Sequence, residues 1–161
     1  MFLLKETEKP VAWAYEAWDE LVSSLIHKNN RTRAIAAQVL CSLAKSDPKK
    51  RILKEFPALL AVTKDERFVT ARHCLQSLWK VGAAGQEQQE LLVTGLEKRF
   101  QECVSEKNGR LIRSDIIQAL RDLFEATRDI EIFTKAKTLI VSETDIKYRS
   151  KYFRQFPAAR K

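Results

Sequence analysis

Apolar residues recur along this chain at steps of three and four, the spacing that stripes one face of an α-helix. The clearest case is the stretch 65–85, where Phe68, Ala71, Leu75 and Leu78 follow Asp65, a side chain able to cap a first helical turn. Gly82 and Gly85 end that stretch and are expected to supply the left-handed conformation in which helices stop. The same outline occurs before it, in 30–47, and after it, in 108–129.

The whole pattern predicts eight helices. The first runs from Pro10, suited to a first turn, to about Lys28, with Ala14, Trp18, Leu21, Val22 and Leu25 on its apolar face. Asn30 is expected to cap the second, which uses Ile35, Val39, Leu40 and Leu43. Asp47–Pro48 marks the start of the third, whose stripe of Ile52, Leu53, Phe56, Leu59 and Leu60 crosses Pro57. A proline there removes a backbone bond and predicts a kink. The Asp65 helix is the fourth. A fifth, about 86–105, buries Leu92, Leu96, Phe100 and Cys103, and Asn108–Gly109 turns the chain into the sixth. Ile112, Ile116, Ala119, Leu120 and Leu123 stripe that helix. The seventh, about 130–141, uses Ile132, Phe133, Ala136 and Leu139 or Ile140. The eighth begins near Thr144 and carries Tyr148, Tyr152 and Phe153, and the residues from Pro157 onward are expected to fray.

Taken in pairs, these helices give about four hairpins. Leu40 and Leu43, Leu75 and Leu78, and Leu120 and Leu123 take equivalent L-x-x-L places in second helices, at spacings of 35 and 45 residues. That spacing suits divergent helical repeats. At this level the chain resembles the HEAT-repeat family of armadillo-like α-solenoids. The likeness covers about residues 30–130 and is closest over Asp65–Gly82, where Asp65, Leu78 and Gly82 fit the family's second helix. Thr70 and Ala71 stand where Val-Arg is usual, Asn30 and Arg110 replace the other Asp caps, and Pro57 resembles the family's first-helix proline. The resemblance implies an all-α, right-handed α-solenoid over residues 1–146, followed by a basic, aromatic C-terminal helix or tail, 147–161. It also implies a non-enzymatic binding module or adaptor that docks a macromolecular partner, a protein first, on the surface lined by second helices. A minority of the family resembles DNA glycosylases that excise alkylated bases, or relatives of bilin lyases, and likeness of fold alone does not choose among these.

Composition narrows the picture. Four glycines and four prolines in 161 residues leave little room for the turns of an all-β fold. No apolar run approaches the roughly 20 residues of a membrane span. The opening MFLLKETEKP has an apolar stretch too short for a secretory segment, with acids behind it, so a cytoplasmic protein is expected. Cys41, Cys74 and Cys103 are odd in number and far apart, which fits free buried thiols. The net charge of +8 is uneven: residues 147–161 hold six basic side chains and no acid, whereas the rest is nearly balanced.

Candidate chemistry is sparse. No His-x-x-x-His, Glu-x-x-His or paired cysteines offer a metal site, and no glycine-rich phosphate loop is present, so no cofactor is expected. His27 sits at a helix end, and adjacent residues His73 and Cys74 point about 100° apart on a helix, too far apart for a nucleophile–base pair. Trp18 and Trp79 lie close to apolar stripes and suit core packing, with Trp13 more exposed. A glycosylase would need a carboxylate beside aromatics in a groove; Asp115 is the one acid in the otherwise apolar-to-small middle of a second helix, and nothing pairs it with a tryptophan. Arginines cluster near second-helix starts: Arg31 and Arg33, Arg67 and Arg72, Arg110 and Arg113. They either bridge to acids of neighbouring repeats, such as Asp47, Asp65 or Glu66, or form a strip that grips phosphates or acidic peptide. The tail adds Lys147, Arg149, Lys151 and Arg154. It packs through Tyr148, Tyr152 and Phe156 as an amphipathic helix, contacts nucleic acid, or meets an acidic protein or membrane surface. Nucleic-acid binding through strip and tail is the alternative to the protein adaptor.

Overall fold

The structure, a computed structural model, describes residues 2–160. It is helical, with no strand among the described residues. The chain forms two compact units, Met1–Leu92 and Val93–Lys161, with the boundary inside one helix.

In the first unit, helices α1 (Phe2–Glu6), α2 (Ala14–Ser24), α4 (Ile52–Val62), α5 (Phe68–Ser77) and α6 (Trp79–Gly82) all pack on α3 (Asn30–Leu43). Its sequence explains the central place of α3. Ala34, Ala36 and Ala37 are buried and small, so neighbouring helices approach closely, while Leu40 and Leu43 fill the space between them. Trp18 from α2, Ile52 and Leu59 from α4, and Leu75 and Leu78 complete a core in which each is fully buried. Each such side chain removed from water stabilises the fold by about 1.5–3 kcal/mol. Leu78 sits between α5 and α6 with helical angles, so the two read as one nearly continuous rod.

In the second unit, α8 (Gly109–Thr127) holds the same position, with α9 (Ile130–Ser142) and α10 (Ile146–Gln155) packed against it. Ile112, Ile116, Ile117, Leu120 and Leu123 line its buried face, as the stripe predicts. Phe124, Phe133 and Phe156 meet as three rings with centroids 5.6–6.0 Å apart, inside the range aromatic pairs favour. The amphipathic reading of the last helix holds: Tyr152 and Phe156 are buried. A 3₁₀ turn over Pro157–Arg160 with Ala159 fully buried replaces the expected fraying. Both Leu139 and Ile140 are buried, and all six leucines of the L-x-x-L pairs are at 0% exposure.

Several local expectations are corrected. Asn29, not Asn30, caps α3; its side chain accepts hydrogen bonds from the Arg31 and Thr32 N–H groups. The helix after Asp47–Pro48 starts only at Ile52, because Lys50 takes a left-handed turn (φ 54°) first. Asp47 still starts it, its carboxylate accepting from the N–H groups of Arg51 and Ile52 at 2.9 and 2.8 Å. The first long helix begins at Ala14 rather than Pro10, and α1 was not signalled by any stripe. No described glycine is left-handed; Lys50 and Arg128 are, and Arg128 ends α8 by donating its N–H to the Phe124 carbonyl. Ile35, read as a core position, is 38% exposed. The helix α4 runs on through Pro57.

Gly109 is required by close approach. Helix α7 (Gln86–Glu102) leads into a 3₁₀ turn over Cys103–Ser105, and the chain then reverses into α8. A Cβ on Gly109 would lie 2.1 Å from the Cys103 carbonyl oxygen, and the nearest atoms it meets, of Cys103 and Val104, are all backbone, with no flexible side chain to yield. Gly109→Ala is expected to destabilise the protein by about 1–3 kcal/mol, the usual cost of overpacking. Urea unfolding followed by circular dichroism measures it; a midpoint unchanged from wild type would refute the close-approach account.

Candidate docking surface

The clustered arginines have separate fates. Arg33 grips Asp65 with two hydrogen bonds, Nε to Oδ2 at 2.6 Å and Nη2 to Oδ1 at 2.9 Å, with both side chains largely covered. Its third nitrogen, Nη1, donates to the His27 carbonyl at 2.8 Å. Asp65 in turn accepts the Arg67 N–H at 2.8 Å, setting the turn into α5. Arg33 thus bridges to Asp65, one of the acids expected as a partner, and the pair joins α3 to the start of α5.

Arg113 and Arg110 are likewise committed. Arg113 donates to the Phe100 carbonyl and to Glu143 Oε1 (3.0 and 3.2 Å), and its guanidinium lies 4.2 Å from the Phe100 ring centroid. Arg110 lies 3.5 Å from carboxylate oxygens of both Glu143 and Asp145, over the Tyr148 ring. Glu143 is 2% exposed and also receives the Asp145 N–H at 3.2 Å. Arg72 stacks over Phe68.

Arg31 and Arg67 differ: both are exposed, and neither makes an ion pair among the described residues. On α10, Lys147, Arg149, Lys151 and Arg154 also have no ion pair among those residues, and Lys147 lies over the Tyr148 ring. Lys147, Lys151 and Arg154 fall on the helix flank away from Tyr152. Of the tail's remaining cations, Lys161 and the Arg160 side chain lie outside what the structure describes.

Between α3 and α5 the first unit has a groove of about 600 Å³. Its walls are Ala34, Ile35, Gln38, Asn30 and Arg31 from α3, and Val69, Thr70 and His73 from α5; Leu4 of α1 borders it. Asn30 and Thr70 make hydrogen bonds with each other across its floor, the Thr70 hydroxyl donating to the Asn30 carbonyl at 3.2 Å. Ile35 and Val69, at 38% and 63% exposure, present aliphatic surface beside the unpaired guanidinium of Arg31. The arginine cluster hinted at this place, but the apolar half was hidden, because Ile35 reads as core.

The remaining candidates have structural roles. Cys41, Cys74 and Cys103 are free and buried, and burial pushes the Cys41 thiol up to about 12 and the other two upward as well. A nucleophilic thiolate needs the opposite shift. His27 accepts the Asn29 N–H on Nδ1 and His73 is exposed. Trp18 is fully buried while Trp13 and Trp79 are half-buried. Asp115 is buried on α8. No group of three or more His, Cys, Asp or Glu among the described residues is placed to hold a metal ion. No helix of the described residues is long and apolar enough to cross a membrane.

Two pH effects follow. Arg33 beside Asp65 holds that carboxyl below the ordinary carboxylate range, so the stabilisation is full above about pH 4 and is lost as pH falls through the depressed value. Asp65→Asn is expected to lower the thermal midpoint at neutral pH and to flatten its acid limb, which a melting series from neutral to acid pH reads directly. An unchanged limb would show the pair is idle. At the other end, the raised Cys41 thiol stabilises fully below about pH 8.5, the ordinary thiol value, and less as pH climbs toward the folded one. Cys41→Ala should therefore lose less stability than wild type between neutral and strongly alkaline pH; parallel curves would contradict it.

No family model, curated protein or solved structure matches this chain.

Proposed function

We propose that the helical hairpins are HEAT-like repeats of a right-handed α-solenoid, and that the protein is a non-enzymatic adaptor docking a protein partner on its second-helix surface. The observation that carries this reading is the α3–α5 groove, where aliphatic side chains stand exposed between two second helices. Support for repeats comes from α3 lying against α5 with equivalent leucines buried in each, and from the Arg33–Asp65 pair linking them. Exposed aliphatic surface next to ordered polar groups is characteristic of interaction sites. Among the described contacts Arg33, Arg110 and Arg113 bind carboxylates of the chain itself, which leaves less of a continuous basic strip for nucleic acid.

Ile35→Glu with Val69→Glu should leave the helical signal and melting behaviour close to wild type, since both positions are solvent-facing. Affinity capture from cell extract should then lose a defined set of proteins retained by the wild-type chain. An identical set from both would remove the groove from the reading.

Nucleic-acid binding is the second reading, favoured by the unpaired Lys147, Lys151 and Arg154 flank. It expects affinity for duplex or single-stranded nucleic acid falling steeply from about 50 to 200 mM salt, as counterion release requires. Lys151→Glu with Arg154→Glu should abolish that binding; salt-insensitive or absent binding would eliminate it.

A further inference from the structure

Resting on the docking reading, we infer that the α3–α5 groove takes a short amphipathic helix of a protein partner, aliphatic on the entering face and carboxylate-bearing along its edge. Three features select that chemistry. Among the described residues the one formal charge lining the groove is the Arg31 guanidinium, no Asp or Glu lines it, and His73 adds an imidazole. Arg31 is exposed and unpaired among the described residues, so its five donors remain available for a carboxylate. The apolar contribution comes from Ile35, Val69 and Leu4, which fit branched aliphatic side chains.

The mode of recognition follows from what the walls lack. Peptides that extend a sheet need an unpaired strand edge, and the described residues contain no strand. Polyproline ligands need aromatic walls, and among the described side chains no Phe, Tyr or Trp lines this groove. A helix laid between two helices needs an apolar channel with polar rims, which α3 and α5 provide. Arg31 also sits in the first turn of α3, where a cation opposes the helix dipole. The dipole of α3 gives that charge no support, and an acidic partner would supply the missing counter-charge.

The test uses the full chain and synthetic peptides of about 15 residues, long enough to form a helix on binding. One Leu/Ile spacing is kept in all, and the other face carries Glu, Gln or Lys. Fluorescence anisotropy at low salt should give the Glu peptide about tenfold tighter binding than the Gln peptide, with the Lys peptide weakest. Arg31→Gln should erase the gap between Glu and Gln peptides, and Val69→Asp should weaken both; circular dichroism checks that each variant remains folded. Equal binding of the Glu and Gln peptides would overturn the acidic assignment while leaving docking intact. Absence of binding by every peptide would overturn the groove as a docking site altogether. Displacement of the Glu peptide by duplex DNA, undone by Arg31→Gln, would reassign the cation to phosphate.

Discussion

A carboxylate withdrawn from water is tolerated only where donors surround it, and each unit of this protein is held together internally at such points. In the first, Asp47 is 6% exposed and accepts from the Tyr15 hydroxyl and from the N–H groups of Arg51 and Ile52. One side chain thus fixes where α4 starts and holds it to α2. Burial and the Asp47 bond push the Tyr15 hydroxyl above its ordinary value, so it stays a donor across the physiological range. Asp65 repeats the device between α3 and α5. In the second unit Glu143 takes the same part, gathering Arg110, Arg113 and the N–H of Asp145 at the α9–α10 junction. The helices supply hydrophobic surface; the carboxylates set their order and register.

Those ties explain what the sequence conveyed and what it withheld. Apolar spacing located every long helix and all six L-x-x-L leucines, because a buried stripe has to follow the helical period. The free buried cysteines and the packed aromatic face of α10 were legible for the same reason. Spacing cannot separate the centre of a stripe from its flank, so Ile35 read as core although it borders solvent. It also does not reach a helix of five residues such as α1. Asp47 signalled a helix start correctly, yet the left-handed Lys50 displaced that start by a turn. Asp65 is one of several acids the clustered arginines could bridge to, and nothing local pairs it with Arg33, 32 residues away. The same holds for Arg99, fully buried and paired to Glu106 across the turn after α7. Such pairs depend on which helices become neighbours, and tertiary packing decides that.

Local consistency is also the means of finding what folding does not explain. Three of the cations near second-helix starts have a compensating partner: Arg33 has Asp65, Arg110 and Arg113 have Glu143. Stability accounts for those residues without any ligand, although helix dipoles disfavour cations at these positions. Arg31 has no such compensation, and it stands beside Ile35 and Val69, which gain little from the core. What sets Arg31 apart from the other cations without an ion pair is its setting, a groove in which it adjoins two exposed aliphatic side chains. Breaks in local consistency of that kind mark sites kept for contact with something else.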